Sequence, residues 1–260
     1  MSVVCVIPAK NEEAHIQETL KTIKHQVDRI IVVDDHSSDN TRIKAMPYAD
    51  VITSSERLSE YKVGTSHIAR VINDGIKEAI KYNPDHILIL GADTLVPEGY
   101  VKTIIKRIEN TDIVIASGRI EGELKTATPR GSGRIIKTSF FKKLGYKYPE
   151  YYAFDTYPIL YALKLGYRTK VYNDLIMKVQ RKTMGRWNFV NFGRGMKWLG
   201  YTIVFMLFRS VLIFTQTKSL KNALDLIKGY ILEKNRCDLA KWFEDYQKRL
   251  IIGKIKRIIR

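Results

Sequence analysis

Over its first two-thirds the chain alternates short β-branched and aliphatic runs with segments whose apolar positions recur every three or four residues. That rhythm belongs to an α/β protein with a mostly parallel sheet. The runs Val3–Ile7, Ile30–Val33, Val51–Thr53, His86–Leu90 and Ile113–Ala116 read as strands. Ile16, Leu20 and Ile23 share one helical face, as do Ile68, Ile72, Ile76, Ala79 and Ile80, so each of these segments can cover a sheet. Pro8 is expected to end the first strand, and Asn11 and Asp39 to cap the helices that follow the first two. From Arg119 to Tyr151 the pattern weakens, and Thr128–Gly133 reads as a loop before a short basic helix. A helix over Thr156–Leu165, closed by Gly166, and a strand over Arg168–Tyr172 complete a first domain at residues 1–175.

Residues 176–260 differ in character and form a basic, helical extension. Tyr201–Phe214 is strongly apolar but carries Arg209, and it is shorter than the roughly 18–20 apolar residues of a spanning helix. Arg181–Trp198 mixes Arg, Lys, Trp and Phe, which suits an amphipathic element in a lipid headgroup region; a helix packed on the first domain or on a second subunit is the alternative. Further on, Leu220, Leu224, Ile227 and Ile231 share a helical face, and Lys254-Ile255-Lys256-Arg257 lies close to the C-terminus.

Charge sharpens this division. The 260 residues carry a net +17, with 25 basic against 21 acidic residues in 1–170 and 19 against 6 in 171–260. Such a block suits nucleic acid, an anionic membrane surface or a phosphorylated substrate. No nucleic-acid reader motif accompanies it, so a membrane surface is the expected partner and specific nucleic-acid binding is not expected. The two cysteines, Cys5 and Cys237, form no CxxC pair, and Met1 leads directly into an apolar run without a basic leader. A cytoplasmic protein, peripheral at the cytoplasmic face of the membrane, is the expectation.

Two strands end in acids. Ile30–Val33 delivers Asp34 and Asp35 at the C-terminal edge of the sheet, where open α/β sheets bind ligands. These carboxylates can accept hydrogen bonds from a uracil or guanine N–H or a ribose hydroxyl, or else serve as turn residues, the role assigned to Asp39. Ile87–Leu90 leads through Gly91 and Ala92 to Asp93. Mg²⁺ or Mn²⁺ is commonly held by one or two carboxylates plus substrate phosphates, so Asp93 with a diphosphate suffices in principle.

Taken together, Val6-Ile7-Pro8-Ala9-Lys10-Asn11-Glu12-Glu13, the VVDDHSSDNT segment and Gly91-Ala92-Asp93-Thr94 resemble the inverting family 2 glycosyltransferases with a GT-A fold, over roughly residues 2–172. The resemblance implies a Rossmann-like nucleotide-diphospho-sugar transferase sheet and a hexosyltransferase-like activity using a UDP- or GDP-linked sugar. It implies that Pro8, Ala9, Asn11, Glu13, Asp34 and Asp35 bind the nucleotide and that Asp93 binds a divalent cation, Mg²⁺ or Mn²⁺. It also makes Asp155 the general base toward a sugar or polyprenyl-phosphate-type acceptor; an N-cap of the helix at 156–165 is the plainer role. The sequence departs from the family pattern where Gly91 replaces the first acid of Asp-x-Asp and where no histidine follows His86, Gln180 standing in the region of a later metal-binding His. Arg70, Arg130, Arg134, Arg181, Lys182 and Arg186 are candidates to neutralise diphosphate. A catalytically silent nucleotide-sugar-binding or membrane-recruiting module is the alternative from another class. A nucleotidyltransferase fits less well, because residues 8–13 lack the glycine-rich phosphate loop.

Overall fold

The computed structural model describes residues 1–55, 67–123, 128–181 and 188–259, the side chains of 252–259 excepted. Its strands are β1 (Val3–Ala9), β2 (Arg29–Asp34), β3 (Val51–Ser54), β4 (His86–Ile89), β5 (Thr94–Leu95), β6 (Ile113–Ile120), β7 (Arg134–Lys137) and β8 (Arg168–Val179). They form a sheet in the order β3-β2-β1-β4-β7-β6-β8-β5. The strands β3, β2, β1 and β4 are parallel, β7 runs antiparallel between β4 and β6, and β8 is parallel to β6. The short β5 pairs antiparallel with the end of β8.

The helices are α1 (Ile16–Ile23), α2 (Thr41–Ala45), α3 (His67–Ala79), α4 (Tyr100–Ile108), α5 (Thr138–Lys143), α6 (Tyr157–Lys164), α7 (Phe189–Leu199), α8 (Ile203–Thr217), α9 (Leu220–Leu232) and α10 (Ala240–Ile259). Successive residues of a strand point to opposite faces, and both faces of this sheet are covered. Val3, Cys5, Ile7, Ile30, Val32 and Leu88 pack with α1 and α4. Val4, Val6, Ile31, Val33 and Ile87 pack with α3, α5 and α6. The central strands therefore read as unbroken apolar runs.

Several expectations change. β1 continues through Pro8 to Ala9, because β4 pairs with β1 only as far as Val6 and the missing Pro8 N–H falls where the ladder on that side has ended. Asn11 does not cap α1, whose N-cap is His15; Asn11 instead adopts a left-handed backbone, φ 53°. Ile68 is exposed, and Ala69, Val71 and Gly75 join Ile72 and Ile76 on the buried face of α3. Gly75 is required there, since a Cβ would stand 2.4 Å from Val6 Cγ1. Neither β5 nor β7 was expected, and β8 runs beyond Tyr172 to Val179, so the sheet extends past residue 175. The expected stop at Gly166 is present as a Schellman motif: Gly166, φ 79°, donates its N–H to Leu163 O, and Tyr167 N–H donates to Ala162 O.

The C-terminal helices are fastened to the sheet domain by an apolar cluster in which Trp198, Leu199, Leu239 and Phe243 meet Leu160 of α6. Within that region α7 and α9 touch backbone to backbone: a Cβ on Gly193 would lie 2.0 Å from Leu226 O, and one on Gly229 would lie 1.9 Å from Val190 O. Packing α9 through Ala223, Leu226, Gly229 and Tyr230 turns Leu220, Leu224 and Ile231 outward. On α8, Ile203, Val204, Leu207, Phe208, Val211 and Phe214 are exposed as well. Among the described residues no helix is long and apolar enough to cross a membrane.

Candidate active site

The loops after β1 and β2 are laced together. Asn11 Oδ1 accepts from Ser38 N–H at 2.8 Å, Glu13 Oε2 accepts from the Asn40 N–H at 3.1 Å, and Asp39 Oδ2 accepts from Glu13 N–H at 3.1 Å. Asp39 also accepts from Thr41 N–H at 3.0 Å, a turn contact, while the N-cap of α2 is Asn40 and not Asp39 as expected. Pro8 is half-buried and Ala9 buried at the end of β1. Asn11 and Glu13 thus shape the loop bearing Asp34 and Asp35.

Both aspartates of that pair are buried. Asp34 Oδ1 accepts from Ser37 N–H at 3.2 Å. Asp35 is more heavily engaged, with Ser55 Oγ at 2.7 Å, His67 Nε2 at 2.8 Å and Lys10 Nζ at 3.3 Å. Burial by itself would raise the Asp35 carboxyl, but these partners hold it below the ordinary carboxylate value. Removing a carboxylate that gathers three elements should cost about 3 kcal/mol, the scale for breaking a buried ionic group. Asp35→Ala is therefore expected to lower urea stability at neutral pH by that amount. A depressed carboxylate stabilises above its unfolded pKa and loses that contribution as pH falls through the folded one, so the gap from wild type should close in strong acid. An unchanged urea midpoint would leave Asp35 as a ligand contact only.

Asp93 lies buried where β4 passes into β5. Its Oδ2 accepts from Arg181 Nε at 2.7 Å, and the same guanidinium reaches Glu12 Oε1 through Nη2 at 2.6 Å. Glu12 is 5% exposed and Asp93 8% exposed. Burial raises the Glu12 carboxyl above its usual value against the pull of Arg181, and Glu12 Oε2 has no hydrogen-bond partner among the described residues. Glu12 was not among the expected site residues; its place beside Asn11 in the PAKNEE segment was the available signal. Gln180 is held elsewhere, donating from Nε2 to His15 O and Thr19 Oγ1, each at 3.1 Å. Among the described residues no three His, Cys, Asp or Glu side chains gather into a metal cluster.

Asp155 immediately precedes Thr156, the N-cap of α6, and its carboxylate has no hydrogen-bond or ion-pair partner among the described residues. The turn is held by Arg134, which is buried and donates to the backbone oxygens of Arg130, Pro129 and Asp155. Arg134 is therefore a structural brace and not a surface available to diphosphate. Arg70 is paired with Glu150, and Arg130 with Glu123. Lys182 and Arg186 lie outside the described residues.

Adjacent residues of one loop join the two acidic centres. A Cβ on Gly131 would stand 3.5 Å from Asp155 Oδ2. The next residue, Ser132, accepts from Gly91 N–H at 2.8 Å and donates to Thr94 Oγ1 at 2.8 Å, on either side of Asp93. Asp155 also borders a cavity of about 630 Å³ whose far wall comes from α7 and α8, including Phe192, Met196, Phe205, Phe208 and Arg209.

The fold is of the GT-A type, and comparison agrees. The sequence family described as Glycosyl transferase family 2 matches residues 4–176, and the chain belongs to that family. A glucosyl-3-phosphoglycerate synthase from Mycobacterium tuberculosis, solved with Mn²⁺, UDP-glucose and phosphoglyceric acid, is similar at TM-score 0.59 and 15% identity, over 75% of this chain and 77% of that one. The mannosyltransferase PcManGT from Pyrobaculum calidifontis, in complex with GDP-Man and Mn²⁺, is similar at TM-score 0.57 and 15% identity, over 98% and 86%. TarS 1–349 of S. aureus, in complex with UDP, is similar at TM-score 0.53 and 19% identity, over 76% of this chain; the match spans 64% of that fragment. At these identities the likeness is one of fold. No curated protein matches in sequence.

Proposed function

We propose that this protein is an inverting glycosyltransferase that moves a sugar from a UDP- or GDP-linked donor to an acceptor seated in the cavity beside Asp155. The juxtaposition of Asp93 and Asp155 across Gly131 and Ser132 carries the reading, because it sets a donor-side acid, and an acceptor-side acid whose carboxylate has no partner among the described residues, against one loop. Pro8, Ala9, Asn11, Glu13, Asp34 and Asp35 would form the nucleotide side. On the acceptor side, Asp155 takes the proton of an attacking hydroxyl as that oxygen bonds to the anomeric carbon. The bond from that carbon to the diphosphate oxygen breaks on the opposite face, which inverts the configuration.

A divalent cation fits the acids present. Glu12 and Asp93 converge on one cationic group, and Glu12 Oε2 is a buried acceptor without a partner among the described residues. Two carboxylates, with waters and the donor diphosphate, can hold Mg²⁺ or Mn²⁺. Such an ion would stabilise the charge gathering on the departing nucleoside diphosphate. The fold relatives solved with Mn²⁺ support this choice.

Purified protein incubated with a panel of UDP- and GDP-sugars should release nucleoside diphosphate when acceptor is present. Asp93→Ala should reduce that release about 100-fold or more, the scale for removing a group that stabilises developing transition-state charge. Binding without release across the panel would instead support a silent binding module, and retained anomeric configuration in the product would overturn the inverting mechanism.

A lipid-linked acceptor at a membrane surface suits the outer face of α8 and α9. Phe208 is 62% exposed beside Val204 and Val211, while Lys218, Lys221 and Lys228 stand exposed nearby. Apolar side chains fringed with lysine match an interfacial helix pair on anionic lipid. Replacing Phe208 and Val211 together with Asp should abolish flotation with anionic liposomes, and flotation retained by that variant would remove this face from membrane binding.

A further inference from the structure

Arg181 holds the position at which the two donor-side acids converge. Its Nε lies 2.7 Å from Asp93 and its Nη2 2.6 Å from Glu12, so one guanidinium serves two carboxylates. We propose that Arg181 is a resident counter-ion which the divalent cation must displace, and that its displacement frees the guanidinium to bind the donor diphosphate; this rests on the donor reading above.

Three observations support the exchange. First, two carboxylates against one guanidinium leave the locked site with an excess negative charge, which repels a diphosphate. A divalent ion balances both acids and releases one positive charge for the phosphates, a planar fork suited to their oxygens. Second, the guanidinium does not satisfy the acid pair: Glu12 Oε2 is buried and has no partner among the described residues, and an unmet buried acceptor is costly. Third, the Arg181 side chain is 49% exposed, so it can swing away without opening the core, whereas Glu12 and Asp93 are fixed below it.

The surrounding residues make the competition matter. Gly91 offers no carboxylate, and Gln180 commits its amide to His15 and Thr19. With so few protein ligands, the cation gains little from the protein alone and must overcome the Arg181 pairing. Metal binding and donor binding are therefore coupled through one side chain.

The test is a titration of the full chain with Mn²⁺ alone, followed by electron paramagnetic resonance without nucleotide or acceptor. Arg181→Gln is expected to bind Mn²⁺ about tenfold tighter than wild type, the equivalent of about 1.4 kcal/mol. Arg181→Lys, which keeps the charge but loses the fork, should fall between them. Adding Glu12→Gln to Arg181→Gln should abolish the gain. Equal or weaker binding by Arg181→Gln, no Mn²⁺ binding by either protein, or a gain that survives Glu12→Gln would each overturn the proposal. Because this readout needs no turnover, it is independent of whether a donor sugar is consumed.

Discussion

Asp155→Asn should lower kcat about 10²- to 10⁴-fold with a hydroxyl acceptor while leaving KM for the donor within about twofold, the range expected for loss of a positioned general base. The reason lies in how little else Asp155 does. It caps no helix, has no hydrogen-bond partner on its carboxylate among the described residues, and borders the cavity opposite the apolar wall of α7 and α8. The turn that positions it is fastened by Arg134 through backbone oxygens, so the variant should keep its fold and its urea midpoint. Steady-state kinetics with a single donor and a hydroxyl acceptor measure the effect. A loss of less than about threefold would take the base role from Asp155. It would point to an acceptor phosphate, whose oxygen needs no deprotonation to attack.

Gly229→Val should be strongly destabilising, by more than about 3 kcal/mol, the upper range for overpacking a close contact. Its Cβ would meet Val190 O at 1.9 Å and the Val190 carbonyl carbon at 2.7 Å, and backbone cannot turn aside as a side chain can. Gly193 makes the reciprocal contact on α7, so Gly193→Val should do similar harm. If α7 and α9 separate, the cavity wall from Phe192 and Met196 moves away from Asp155, and activity should fall with stability. A fluorescence-monitored urea curve on each variant tests the contact. Midpoints within about 0.5 kcal/mol of wild type would show that the two helices can part at no cost.

Hydrophobic rhythm made the sheet domain readable because its central strands are buried on both faces and its covering helices on one. Val3–Ile7, Ile30–Val33 and His86–Leu90 carry that pattern within short stretches of chain. Where an element depends on distant partners the pattern is silent. β7 is four residues with Arg134 and Lys137 at its ends, and it is a strand because β4 and β6 bracket it. β5 is two residues held by the end of β8.

The site divides in the same manner. Asp34, Asp35, Asp93 and Asp155 were legible because each acid follows an apolar strand or precedes a helix. Their partners were not. Glu12 and Arg181 lie 169 positions apart and meet only because β1 and the end of β8 arrive at one edge of the fold. Likewise Arg134 looked like a phosphate ligand by its charge, yet three backbone carbonyls turn it inward. By itself the sequence determined the α/β class, the family, the positions of the strand-ending acids and the concentration of positive charge after residue 170, since these follow from local periodicity and composition. Only the tertiary structure decided which acids share the Arg181 guanidinium, which residues of α8 and α9 stay uncovered, and that Gly131 lies against Asp155 while Ser132 bonds the residues flanking Asp93. Those are pairings between remote segments, and local pattern carries no information about which remote groups will meet.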